Sequence, residues 1–226
     1  AHHRDATLTD PYDDPESNYL DPAVWARLPR WVRALLQANN TLLGRIALGP
    51  AVAQVAFMRE DLRAIGAGDR RIAGAWLAHL PAAGAVIAVV ALSPMPLWAY
   101  LIAAYAGHGL VKIRTFLEHR AHSHAAGRTV VIEDRGPLAL LFLNNNFHLV
   151  HHMHPGVPWY RLPGLYFADT DRYLRRNRGY RYAGYGEILR RHLLRAKDPV
   201  PHPLWPASNS ARAEEGDPGR PAVARP

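Results

Sequence analysis

The chain has 226 residues and no cysteine, and its 27 basic and 19 acidic residues leave a net charge of +8. Without thiols there is no disulfide framework, no thiolate zinc or iron–sulfur site and no cysteine nucleophile. A mean hydropathy of −0.18 describes a soluble basic protein, but polarity is spread too unevenly for that average to describe any part of the chain.

In chain order, His2-His3 lead into an acidic stretch with Asp5, Asp10, Asp13, Asp14, Glu16 and Asp21. Asp5 and Glu16 are candidates to accept the second ring N–H of metal-bound histidines. Residues 22–71 reverse the sign, with eight arginines against three acids. Within them Leu35–Met58 is apolar but interrupted by Arg45 and Pro50, which leaves 13 uncharged residues from Ile46 to Met58. A crossing takes about 20 residues. The expectation here is an interfacial or re-entrant helix with its arginines at the headgroup level.

Residues 72–111 contain no Asp, Glu, Lys or Arg over 40 positions. At a rise of ~1.5 Å per residue against a core of ~30 Å, that length makes two crossings. Ser93-Pro94-Met95-Pro96 breaks it in the middle. The predicted elements are a helix Ile72–Leu92, a tight turn, and a helix Leu97–Val111 running on through 112–122. Trp98 and Tyr100 beside the turn suit an interfacial belt. A buried hairpin of a soluble protein is the competing reading, but a domain of this size rarely buries two helices on all sides. Arg70 and Arg71 before the hairpin, with Lys112 and Arg114 after it, predict that both ends face the cytoplasm. Every histidine cluster then lies on that side.

Seven of the 13 histidines fall between positions 119 and 154. His119 and His122 are three apart in Glu118-His119-Arg120-Ala121-His122 and share a face if the helix continues. In His148-Leu-Val-His151-His152, a step of 100° per residue puts His151 at about 300° and His152 at about 40° from His148, one arc of imidazoles. His154 falls off that arc. Neutral imidazoles projecting together suit iron, zinc or copper. Downstream, Gly156–Tyr166 holds Trp159 and Tyr160 and reads either as a cap over the site or as an ordinary aromatic belt. Arg172, Arg175, Arg176, Arg178, Arg181, Arg190, Arg191 and Arg195 suit anionic headgroups or an acidic electron donor. Nucleic acid is not an expected partner. Residues 1–197 read as one domain and 198–226 as a disordered Pro/Ala/Arg-rich tail. Only Lys112 and Lys197 among the 27 basic residues are lysine, a bias attributed to base composition.

These motifs together resemble the membrane fatty acid desaturase superfamily, which includes carotenoid ketolases and hydroxylases and alkane hydroxylases. His148-x-x-His151-His152, with Asn144-Asn145-Asn146 before it and Pro155 after it, resembles the third histidine box. His2-His3 match the end of the second box, Asp10-Pro11 and Asp14-Pro15-Glu16 resemble the connector after it, and Glu118-His119 resembles the additional ligand outside the boxes. The first box and the leading histidine of the second are not in the sequence. The expectation is therefore a C-terminal fragment, truncated at the N-terminus, that does not assemble an active di-iron pair by itself. The resemblance implies an all-α integral membrane helical bundle, with a transmembrane hairpin, interfacial helices and a cytoplasmic histidine-box cap. It implies two iron ions held by His2, His3, His119, His148, His151 and His152, with His122, Asp5, Glu118, Asn144 and Asn145 as further ligands or contacts behind them. It also implies O2, a lipid or acyl-chain substrate, an electron donor such as a ferredoxin or cytochrome, and a place in a bacterial inner membrane. Desaturation of an acyl chain is the leading expectation. Ketolation or hydroxylation of a carotenoid, alkane or sphingolipid is the alternative, and a non-catalytic membrane protein is the alternative of a different class.

Overall fold

Asp21 opens the first helix. Its carboxylate accepts the Ala23 amide at 2.7 Å and Pro22 sits where a missing N–H costs nothing, so α1 forms over Pro22–Arg27. The computed structural model describes residues 7–14 and 16–205. Helices α2 (Arg30–Asn39), α3 (Leu42–Ala47), α4 (Gly49–Gly66), α5 (Arg70–Ala91) and α6 (Leu97–Thr115) follow. The C-terminal part holds α7 (Pro137–Leu141), α8 (His148–Met153), α9 (Leu162–Ala168), α10 (Thr170–Arg176) and α11 (Tyr185–His192). Strands β1 (Val131–Ile132) and β2 (Arg181–Tyr182) pair in parallel, with Val131 opposite Arg181 and Ile132 opposite Tyr182. The described residues are thus mostly helical, as expected.

The apolar stretch 35–58 is not one helix. Thr41 ends α2's path and caps α3, its hydroxyl accepting the Gly44 amide at 3.0 Å, and Pro50 starts α4 instead of breaking it. Arg45 does not reach a headgroup level either. It is buried, with Nε donating to the Asn39 carbonyl at 3.1 Å and Nη1 bonded to Asn18.

The hairpin forms as α5 and α6. Asp69 caps α5 by accepting the Arg71 and Ile72 amides at 2.9 and 3.1 Å. In the turn, Ser93 donates to the Val90 carbonyl at 2.8 Å and accepts the Met95 amide at 3.2 Å. Gly109 lets α6 approach α3, because a Cβ there would lie 2.8 Å from the Ile46 carbonyl oxygen. Leu77 and Val89 on α5 are 74% and 68% exposed, and Leu101 and Ile102 on α6 are exposed as well. That is not the hairpin of a soluble core. Among the described residues, α5 alone is long and apolar enough by length and composition to cross a membrane. Helix α6 stops at Thr115 and does not continue to 122, because Phe116 and Leu117 turn into the protein core.

β1 divides that core by its period of two. Val130 and Ile132 face a cluster with Phe116, Leu117, Phe142 and Tyr180, while Val131 faces another with Phe147, Val150, Leu162 and Tyr166. Residues 198–205, expected within a disordered tail, are packed. The Leu20 amide donates to Val200 at 2.9 Å, the His202 amide to Leu20 at 2.8 Å, and Trp205 Nε1 to Asp21 at 3.1 Å. Val200 and His202 are buried.

Candidate metal centre

His119 stands on a strap rather than on a helix. Beyond α6 the strap pairs antiparallel with residues 128–130: the Arg120 amide donates to Arg128 at 2.9 Å and the Val130 amide to Glu118 at 3.1 Å. His119 and Thr129 face each other between those two bonds, so their side chains lie together on one face. Thr129 Oγ1 lies 3.5 Å from His119 Nδ1.

His148 opens α8, and the three asparagines before it have three different tasks. Asn144 adopts a left-handed backbone, φ 52°, which asparagine tolerates. Asn146 is buried and ties the turn to β1, its Nδ2 donating to the carbonyls of Ile132 (2.6 Å) and Asp134 (2.9 Å). Asn145 faces the site. Its Nδ2 donates to Glu118 Oε1 at 2.7 Å, which turns its Oδ1 toward His148 Nδ1 at 3.3 Å. An amide oxygen only accepts, so this contact favours the His148 tautomer with its proton on Nδ1, which would turn the Nε2 lone pair toward a ligand. Glu118 is buried, 4.0 Å from His148 Nδ1, and Arg114 Nε donates to it at 2.8 Å.

The result is a convergence of three imidazoles. His148 Nε2 lies 3.2 Å from His119 Nε2 and 3.2 Å from His152 Nε2. The ligand atoms of all three lie within 4.8 Å of one another, and His148 and His152 are buried. Imidazole binds a metal at about 2.0–2.1 Å, which leaves neighbouring ligand nitrogens roughly 3 Å apart. The spacing and the all-nitrogen donor set fit a metal ion of the kind imidazole prefers.

Other expected residues lie around this group. The His151 ring lies 6.0 Å from that of His148 and 6.1 Å from that of His152, outside the group of three. It lines a cavity of about 220 Å³ with Arg114, Phe142, Val157, Trp159 and Leu162. The aromatic segment after the box therefore borders the site. His122 does not share a face with His119, since the helix that would align them ends before it. Its Nδ1 instead accepts the His124 amide at 3.1 Å. Asn144 Nδ2 reaches the Trp159 carbonyl at 3.4 Å rather than a histidine. Glu16 is exposed, with its amide on Asp14. His154 bonds the Tyr173 hydroxyl at 3.2 Å, off the arc as expected. His2, His3 and Asp5 lie outside the described residues. No motif or spacing in the sequence marks Thr129 or Lys197 as site residues. Lys197 Nζ donates to the His119 carbonyl, and its rarity was the one signal in the sequence.

The described residues thus form a mostly helical protein with an outward-apolar helical hairpin and a cluster of three imidazoles that could hold a metal ion. The chain belongs to the fatty acid desaturase family, whose model matches residues 1–187. That family is membrane-associated, and membership makes the protein a desaturase-like lipid oxidoreductase. No curated protein and no solved structure matches the chain.

Proposed function

We propose that the protein is a membrane-bound, O2-dependent fatty acid desaturase with a di-iron centre. The convergence of His119, His148 and His152 supports this reading most directly. His2, His3 and His151 complete the ligand set that the family resemblance implies. When bound, the two irons supply the activation of O2 and the oxidation of an unactivated C–H bond.

The chain's own residues hold and shield that chemistry. Asn145 and Thr129 keep His148 and His119 oriented through their Nδ1 atoms. Glu118 places a buried negative charge behind the cluster, which favours bound cations. The cavity beside His151 is lined by Phe142, Leu143, Val157, Trp159 and Leu162 together with Arg114 and Asn145, a largely apolar lining that suits an acyl segment. With α5 and α6 in the bilayer and Arg70, Arg71, Lys112 and Arg114 at one end, the cluster lies at the cytoplasmic surface. The exposed Arg172, Arg175, Arg176 and Arg178 flank a hollow of about 800 Å³ and suit the acidic face of an electron donor.

Product analysis tests the reading. Cells expressing the complete reading frame are expected to accumulate acyl chains with a new double bond. An added oxygen instead would assign the protein to the hydroxylases, and an unchanged lipid profile with a functioning donor would oppose both.

A further inference from the structure

The strap that carries His119 is gripped at three backbone positions by side chains from three distant parts of the chain. Tyr180 donates to the Leu117 carbonyl at 2.8 Å, and Tyr19 accepts the Ala121 amide at 2.9 Å. Between them Lys197 donates to the carbonyl of His119 itself.

The strap's own pairing explains why that carbonyl is available. Residues 119 and 129 form a non-hydrogen-bonded pair of the antiparallel ladder, so the amide and carbonyl of His119 point away from residue 129. The outward carbonyl needs a donor, and Lys197 supplies it. The lysine side chain is 12% exposed, and Asp198 Oδ2 pairs with its ammonium at 3.1 Å. Asp198 also accepts the Tyr19 hydroxyl, and Tyr180 Oη lies 3.5 Å from Lys197 Nζ. The three grips are therefore one connected network. A compact ammonium with three donors meets three acceptors in different directions here, which a planar guanidinium does not. This distinguishes Lys197 in a chain whose other basic residues, Lys112 excepted, are arginine.

We propose that Lys197, braced by Asp198 and Tyr19, is a positioning residue for the metal centre: it fixes the His119 carbonyl and so holds His119 Nε2 against His148 and His152. The inference rests on the reading of His119 as a metal ligand. A lysine placed only for fold stability would change unfolding and leave metal affinity alone.

The test uses metal-free protein from the complete reading frame, titrated with cobalt(II) against a chelator and followed by visible absorption. The double variant K197M/D198N removes both charges, so no lone buried charge remains. It is expected to bind cobalt(II) about tenfold more weakly, with an altered spectrum, beyond whatever lowering of the metal-free unfolding midpoint follows from the lost donor to the His119 carbonyl. Y19F, which leaves the ion pair in place, covers failure of the double variant to fold. It is expected to shift affinity in the same direction, and parental affinity in a folded Y19F would overturn the proposal. Parental affinity and spectrum in K197M/D198N, with binding lost in H119A, would overturn the role of Lys197 alone. Parental binding in H119A would overturn both this proposal and the ligand reading beneath it.

Discussion

Asn145 bridges the Glu118 carboxylate and the His148 ring. N145A removes both bonds together. It is expected to lower iron affinity about 10- to 100-fold and to cost roughly 1 kcal/mol of stability, because the buried Glu118 carboxylate loses one donor and keeps Arg114. Metal analysis and thermal unfolding of the purified variant check the two numbers separately. Two histidines outside the cluster set a pH limit. Burial first, then Lys197 and Arg191, holds His192 below its ordinary value, with Asp198 opposing. Burial and Arg128 do the same for His202, with Asp10 and Asp198 opposing. His202 Nδ1 accepts the Leu204 amide at 3.1 Å, so its neutral form is the one the fold uses. Both folded values lie below the unfolded one. Stability is therefore full above about pH 6.5 and falls as pH drops below it, since the unfolded chain takes up protons first. A metal-free unfolding series should show that decline, and H202Q should flatten it. At this scale the sequence is legible only where contacts are local. The His148 and His152 pairing follows from helical spacing alone. The roles of Thr129 and Lys197 depend on contacts across 10 and 78 residues. The scarcity of lysine was visible, but base composition does not account for where Lys197 stands.

Among the elements, the hairpin follows from the gap in charge at 72–111, and its turn from Ser93 and the two prolines. The end of α6 does not. Residues 112–122 have no strong breaker, so local preference extends the helix. Burial of Phe116 and Leu117 in the core around β1 decides otherwise. That one early stop turns His119 from a helix-face residue into a strap residue and separates it from His122. β1, only two residues long, also escapes a pattern search, yet the Leu149 amide on the Val130 carbonyl at 3.0 Å sets α8 against it. The closeness of α3 and α6 depends on Gly109. G109A places a methyl 2.8 Å from the Ile46 oxygen and is expected to cost about 1–3 kcal/mol, measured as a lower unfolding midpoint in detergent. Retained stability would show that the two helices do not touch there.

For the whole molecule, the mean hydropathy hides a division of labour. One end presents apolar side chains outward along α5 and α6, and the other buries its apolar residues in two clusters around β1. The histidine cluster lies at the junction, where the chain leaves α6. In the reading proposed above this exposed apolar surface faces lipid. The protein is expected to remain with the membrane pellet after an alkaline carbonate wash and to be released by detergent. Release by the wash alone would contradict the placement of α5 and α6. The central claim is that His119, His148 and His152 together bind iron, and iron content per chain tests it most directly. Protein from the complete reading frame should carry iron, and H119A, H148A and H152A should each lose most of it. Full iron content in H148A or H152A would contradict the account.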